Sequence, residues 1–272
     1  VQPVTDTTEH KIVLKDLTKI FQTRRQTIIA VEHINMQFDD GDFVSIVGPS
    51  GCGKSTIIRM IDDIIKPTSG QILIDGQDIT KHKRIPEDVI RKMGFIFQQP
   101  NMYPWRTVRE NVELPLKILG LKGPEWKSYA DELIDMVGLS AYKDNYPTEI
   151  SGGSLQRAGV IRAMVHKPEI LLMDEPFGAL DETTMHQMNI ELLEIWKKTQ
   201  KTVIYITHSV EEAVLLSNRV YVMGTNPGRV VDETIIDLPR PRTLEMLASS
   251  HFIEYCKYLT AKIGHIDLSK IK

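Results

Sequence analysis

The sequence has little cysteine. Two residues, Cys52 and Cys256, are all that its 272 positions contain. They cannot build the disulfide framework of a small secreted domain, and such usage suits a reducing cytosol. Charge of one sign is also scarce. Lys and Arg total 33 against 36 Asp and Glu, for a formal net charge of −3. Without a basic excess the chain lacks the electrostatic footprint of a nucleic-acid binder, and no nucleic-acid partner is expected. Long apolar runs are missing too. No stretch approaches the roughly 18 residues needed to cross a bilayer. The polar start lacks a signal-peptide core. If the protein works at a membrane, other chains are expected to hold it there. No internal repeat or low-complexity tract is visible. The length is enough to bury a substantial core, in one large domain or one with an inserted subdomain.

The most informative stretch is Gly48-Pro49-Ser50-Gly51-Cys52-Gly53-Lys54-Ser55-Thr56. Phe43 to Val47 before it is a short apolar run that reads as a buried strand. After it Ile57, Ile58, Ile61, Ile64 and Ile65 recur at helical spacing. Strand, glycine-rich turn and helix form the context in which G-x-x-x-x-G-K-[ST] means a phosphate-binding loop. Glycines let the backbone approach a polyphosphate and turn several N–H groups inward, while the helix start adds partial positive charge. In that arrangement Lys54 reaches the β- and γ-phosphates, and the Ser55 hydroxyl takes Mg²⁺.

The rest of the chain alternates in texture. Residues 1–10 are polar and read as a flexible N-terminus. From Ile12 to Phe38, β-like runs broken at Gln22-Thr23-Arg24-Arg25-Gln26 predict an antiparallel sheet, with Arg24 and Arg25 in a solvated turn. Lys66 to Gly70 reads as the end of the first helix, and Ile72-Leu73-Ile74 before Asp75-Gly76 as a strand and turn. Phe95-Ile96-Phe97 reads as another buried strand. From about 101 to 165, Thr107–Leu119, Glu125–Val137 and Ser154–Met164 look helical between proline and glycine breaks, as in a helical insertion. Strands then return at Ile170–Met173, Thr202–Ile206 and Val220–Met223. Asp181 to Thr199 reads as a helix with Met185, Met188, Leu192 and Trp196 inward, and Ser209 with Glu212 as a capping box. After residue 243 a helical tail carries Leu244, Leu247, Phe252, Tyr255 and Leu259.

Several polar residues sit where chemistry is expected. Asp174 and Glu175 end a run of four apolar residues, the strand-end position where metal and attacking water meet in a phosphate-loop NTPase. Asp174 is the expected Mg²⁺ ligand and Glu175 the general base. His208, also at a strand end, is read as a sensor that bonds the γ-phosphate and keeps Glu175 and the water aligned. Gln98 can ligate Mg²⁺ through its amide oxygen, and Gln99 is chemically as able. Ser151-Gly152-Gly153-Ser154-Leu155-Gln156-Arg157 opens a helix with an anion site at its start.

With these residues in place, about residues 11 to 240 resemble an ATP-binding-cassette (ABC) ATPase subunit. Gly48–Thr56 is similar to its Walker A motif, Leu171–Glu175 to Walker B with the catalytic glutamate, and Ile150–Arg157 to the family signature, with Ile150 for the usual Leu and Ser154 for the usual Gln or Met. Gly178-Ala179-Leu180-Asp181 resembles the D-loop, His208 the switch histidine and Gln98, rather than Gln99, the Q-loop glutamine. Phe21 falls where the family stacks an aromatic on adenine. The resemblance implies an α/β fold: a P-loop NTPase with a RecA-like core, an N-terminal antiparallel β-subdomain and a helical insertion. The ATPase domain would span 11–242, with its helical subdomain at about 101–165, and a C-terminal helical extension would follow at 243–272.

It also implies ATP and Mg²⁺ as ligands, with Lys54, Glu175 and His208 catalytic and Ser55, Gln98 and Asp174 on the metal. Nucleotide contacts would come from Phe21, Gly48, Pro49, Ser50, Gly51, Cys52, Gly53, Thr56, Ser151, Gly152, Gly153, Gln156 and Asp181. A second ATPase subunit, the same or a close paralogue, would close head to tail on ATP. Phe97 to Val108, containing Pro-Trp-Arg-Thr-Val, together with Asn226–Arg229 and Leu238–Arg242, resembles the importers for nitrate, sulfonate and taurine. The implied setting is the cytoplasmic face of the inner membrane, with permease subunits and an extracytoplasmic solute-binding protein. Tyr103, Pro104 and Trp105 would then suit a permease helix, whereas Arg240 and Arg242 read as local structure.

Overall fold

The computed structural model describes residues 10–23, 26–178 and 180–264. Most of the expected flexible N-terminus, Arg24 and Arg25, Ala179 and the last eight residues of the C-terminal extension lie outside them. In chain order the elements are β1 (Ile12–Gln22), β2 (Thr27–Phe38), β3 (Phe43–Val47), α1 (Lys54–Ile61), β4 (Ser69–Ile74), β5 (Gln77–Asp78), α2 (Glu87–Ile90), β6 (Met93–Ile96), α3 (Val108–Val112), α4 (Leu114–Ile118), α5 (Pro124–Met136) and α6 (Gly152–Met164). Then follow β7 (Ile170–Asp174), α7 (Glu182–Thr199), β8 (Thr202–Ile206), α8 (Val210–Leu216), β9 (Arg219–Gly224), β10 (Arg229–Ile235) and α9 (Ser250–Gly264). They fall into two compact units, one made of residues 1–90 and 200–272 and the other of 91–199.

In the first unit β1 pairs with β2 and β4 in an antiparallel sheet of order β2-β1-β4-β5. Alternation carries Ile12, Leu14, Ile34, Met36 and Phe38 into the core, each 1 % exposed or less. A second set of strands places β3 between β8 and β9, parallel to both, with β10 antiparallel on β9. Every residue of β3 and β8 is buried, which is why both read as continuous apolar runs rather than alternating ones. Ser45, the polar residue within β3, bonds the Ser217 hydroxyl.

The first helix is shorter than its isoleucine spacing predicts. α1 stops at Ile61, because Asp63 takes a left-handed φ of 58° and the Ile65 N–H turns back to the Arg59 carbonyl. Ile64 is therefore outside the helix and 50 % exposed. The alternation in 229–235 escaped the sequence reading, since β10 has no fully buried residue. The tail packs on its own unit, with α9 against α8 and β9. Phe252 and Leu259, at most 2 % exposed, each contribute about 2 kcal/mol of apolar burial. Arg242 is buried and donates to the carbonyls of Val214, Leu215, Ser217 and Ile236, and Arg240 donates to that of Leu216. Two cations thus cap the end of α8, where orphan carbonyls and the helix dipole favour positive charge.

In the second unit β6 and β7 pair in parallel, and β7 is buried throughout. Phe97 falls one residue past the strand. The helix expected over 107–119 is two helices: α3 ends at Val112, and Glu113 caps it and precedes α4 with its early Pro115. Thr107 and Glu110 form a complete capping box on α3. In α7, Met188, Leu192 and Trp196 are buried as expected, while Met185 is half-buried near the helix start.

Asp62 is the C-cap of α1, where a carboxylate opposes the helix dipole. Burial, and then the neighbouring Asp63, push its carboxyl up to about 7. The folded-state value lies above the ordinary 3.8, so the unfolded chain gives up the proton first. Stability at this site is therefore full below about pH 4 and falls as pH rises toward 7. Asp62→Asn should raise Tm by a few degrees, about 2–4 °C, at pH 8 and leave it unchanged at pH 4. Thermal melts at the two pH values check this, and an equal effect at both would remove the titration argument.

Candidate nucleotide site

The first unit carries the phosphate-loop residues. β3 ends at Val47 and α1 begins at Lys54, with Gly48–Gly53 forming the turn between them. Gly51 and Gly53 take φ of 77° and 98°, a region closed to most side chains. Gly53 is also crowded: a Cβ there would lie 2.3 Å from Val31 Cγ1 and 3.0 Å from the Ala30 carbonyl. The Lys54 ammonium is buried and donates to the carbonyls of Gly48 (2.8 Å) and Pro49 (3.1 Å). It is thus held against its own loop. Burial pushes the Cys52 thiol up, so it stays neutral and packs as a small apolar residue. Pro49, Ser50, Ser55 and Thr56 complete the loop and first turn. Phe21 lies next to the last residue of β1, 38 % exposed, with Lys19 Nζ 5.0 Å from its ring centre. Its cross-strand partner Ile28 is also exposed, and Phe21 is not a core aromatic.

His208 follows β8 and is exposed. The capping box expected behind it is half-formed. Ser209 Oγ accepts from the Glu212 N–H, but the Glu212 carboxylate turns inward, to the hydroxyls of Tyr205 and Thr207.

The second unit carries the remaining candidates. Asp174 is buried at the end of β7. Glu175 follows with a left-handed φ of 49°, in a tight turn closed by the Gly178 N–H on the Glu175 carbonyl. Gln98 Nε2 lies 3.4 Å from Glu175 Oε2, so these two side chains meet. Ser151 caps α6 by accepting from the Ser154 N–H; Ser151 and Gly152 are exposed. The starts of α1 and α6 thus lie on different units, that of α6 open to solvent at Ser151 and Gly152. Gln156 does not face that opening: it is buried, and its amide donates to the Gln98 carbonyl (3.1 Å). Asp181 caps α7, accepting from the Thr184 N–H. That bond holds its carboxyl below the usual range.

Two residues escaped the sequence reading. Asn111 is fully buried; its amide serves Tyr103, Arg106 and Thr107 backbone groups and fixes the segment after Gln98. Its signal was a polar residue at an inward position of α3. Gly228 packs beneath the phosphate loop, where a Cβ would lie 2.1 Å from the Cys52 carbonyl. The sequence marks Asn226–Arg229 only by its resemblance, not by what Gly228 would touch. Trp105 is 69 % exposed, its ring 5.1 Å from that of Tyr103. Among the described residues no three His, Cys, Asp or Glu side chains cluster as a metal site. Within the second unit, the Gln98 amide and the Asp174 carboxylate are oxygen donors of the kind a hard cation takes.

A family model described as ABC transporter matches residues 31–178. An uncharacterised ABC transporter ATP-binding protein of Methanocaldococcus jannaschii is 42 % identical over 247 residues, covering 91 % of this chain and 89 % of that one. A nitrate import ATP-binding protein of Synechocystis is 40 % identical over 248 residues, covering 89 % and 91 %. An aliphatic sulfonates import ATP-binding protein of Bacillus cereus is 40 % identical over 232 residues, covering 85 % and 88 %. Among solved structures, a dimeric ATP-binding cassette in a post-hydrolysis state with ADP and Pi aligns with a TM-score of 0.74 and 33 % identity, over 84 % of this chain and all of that one. With a phosphate loop between β3 and α1 and a carboxylate pair closing β7, the chain belongs to the ABC transporter ATP-binding family, whose nucleotide is ATP.

Proposed function

We propose that this protein hydrolyses ATP to power a membrane importer for a small anion or organic solute of the nitrate, bicarbonate, sulfonate or taurine class. The observation that carries this reading is the 40 % identity, over most of both chains, to ATP-binding proteins named for nitrate and sulfonate import. No helix among the described residues is long and apolar enough to cross a membrane. The membrane contact is therefore assigned to partner permease subunits, with the chain at the cytoplasmic face and an extracytoplasmic solute-binding protein delivering the solute. The exposed Tyr103–Trp105 pair is the proposed permease contact, a paired aromatic surface of the kind favoured at interfaces.

The proposed chemistry follows from the residues. Lys54 leaves its two carbonyls to take the β- and γ-phosphates, and the loop N–H groups cradle them. Ser55, Gln98 and Asp174 would hold Mg²⁺, which would neutralise the phosphate charge. Glu175 takes a proton from the attacking water, and His208 bonds the γ-phosphate. Phe21 stacks on adenine. Ser151, Gly152 and Gly153 of one subunit complete the phosphate cage of the other, alongside Asp181, so that ATP closes a head-to-tail dimer. Closure and release then drive the permease. Gln156 acts indirectly, by holding the main chain of Gln98.

Glu175→Gln should keep ATP binding and lose hydrolysis by at least about a hundredfold; near-normal turnover would exclude Glu175 as the base. Lys54→Ala should weaken ATP affinity by about tenfold or more, through loss of a charge-assisted phosphate contact. Equilibrium nucleotide binding measures it, and unchanged affinity would count against the loop assignment. Tagged Glu175→Gln protein purified with ATP from its native membranes should carry a polytopic permease, identified by mass spectrometry. If only ribosomes, nucleic acid or no partner came with it in repeated trials, the importer reading would fall.

A further inference from the structure

The turn that presents His208 is built around a buried carboxylate. Thr207 and Ser209 flank the histidine. Thr207 Oγ1 accepts from the Ser209 N–H at 3.0 Å and donates to Glu212 Oε2. Ser209 Oγ accepts from the Glu212 N–H at 3.2 Å. Three bonds among Thr207, Ser209 and Glu212 therefore close a ring around His208. The second carboxylate oxygen accepts from the Tyr205 hydroxyl at 3.1 Å, which anchors the ring in β8. The Thr207 N–H donates to the Ile46 carbonyl at 3.3 Å, tying it to β3, the strand that leads into the phosphate loop. Glu212 is 5 % exposed and Thr207 2 %.

Such an arrangement is more than a helix cap needs. A capping box would send the Glu212 side chain back to the Ser209 N–H. Here Thr207 has taken that donor, which frees both carboxylate oxygens for hydroxyl groups. A buried carboxylate is costly unless it is bonded on both oxygens, and charged hydrogen bonds are about twice as strong as neutral ones. The site at the first turn of α8 also places negative charge where the helix dipole favours it. The result is a stiff frame on both sides of one exposed histidine.

We propose that Glu212 is a positioning residue for His208. Through Thr207 and Ser209 it fixes the backbone that carries the imidazole relative to β3 and the phosphate loop. The proposal rests on the reading of His208 as the γ-phosphate sensor. Glu212 touches no reacting atom in this scheme, so its removal should reach turnover only through the histidine.

The test is a double-mutant cycle on the full chain, with ATP affinity and single-turnover hydrolysis measured for each variant. Glu212→Ala should lower the hydrolysis rate by about tenfold, the scale of one lost positioning bond near 1.4 kcal/mol, with ATP affinity changed less than twofold. Glu212→Gln, which keeps an acceptor oxygen, should recover most of the rate. In a His208→Ala background Glu212→Ala should add no further loss, because coupled residues are non-additive. Thr207→Val keeps shape and removes the linking hydroxyl; it should show the same rate defect, also erased in the His208→Ala background. That variant decides the matter if Glu212→Ala melts below the assay temperature. Normal hydrolysis in Thr207→Val, or an undiminished loss in the His208→Ala background, would overturn the positioning role. Full activity in His208→Ala alone would instead remove the sensor reading on which the proposal stands.

Discussion

The phosphate loop depends on backbone approaching backbone without side chains in between. Gly228 donates to the Ala30 carbonyl and accepts from the Glu32 N–H, so the β9–β10 turn lies beside β2. Cys52 sits directly over Gly228, and Gly53 over Ala30 and Val31. A methyl group at either glycine would push the loop away from its support by several tenths of an ångström or more. The loop can offer rigid N–H groups to an anion because it is pressed from beneath, not because its sequence is intrinsically stiff. Glycine-rich chain alone would be entropically loose. Here segments from three distant parts of the first unit remove that freedom before any ligand arrives.

The second unit solves a similar problem with polar side chains. Gln156, Asn111 and Arg162 each reach into the segment after β6: Gln156 to Gln98, Arg162 to Pro100 and Asn101, Asn111 to the 103–107 backbone. A loop of this length would ordinarily run loose over the surface. Its carbonyls are instead satisfied by buried or half-buried donors, which turns it into a fixed strap from Gln98 to the start of α3.

Much of this could be read from the residues because the strongest signals are local. The run Phe43–Val47, the loop Gly48–Thr56 and the strand-end Asp174-Glu175 each declare themselves within ten residues of chain, through spacing and apolarity. What remained hidden involves partners far apart in sequence. Gly228 stands in a stretch marked only by resemblance, and its reason is Cys52, some 176 positions earlier. Arg242 reads as local structure, but only the carbonyls of Val214, Leu215, Ser217 and Ile236 say what it holds. Ser209 and Glu212 match a capping-box pattern, and only the hydroxyls of Tyr205 and Thr207 explain why the carboxylate turns away. β10 shows only a shallow alternation, half-buried against exposed, because nothing buries either face fully. Pattern reports what a residue can do; competition among distant partners decides what it does.

The same competition bears on how ligand and partner signals would share the strap of the second unit. Gln98 meets Glu175 at one end, and Tyr103 with Trp105 stands exposed at the other. The backbone between them is bonded to α3 and α6, so its parts cannot move singly without leaving buried groups unpaired, at about 1–3 kcal/mol each. A displacement of Gln98 therefore either stays local, at that cost, or carries α6 with it through Gln156. α6 begins at Ser151 and Gly152, the open helix start of this unit. Under the proposed roles, a metal-side residue, an anion-binding helix and a docking aromatic are fastened to one polar framework. That framework makes joint movement cheaper than independent movement, which is what coupling a chemical step to a distant surface requires.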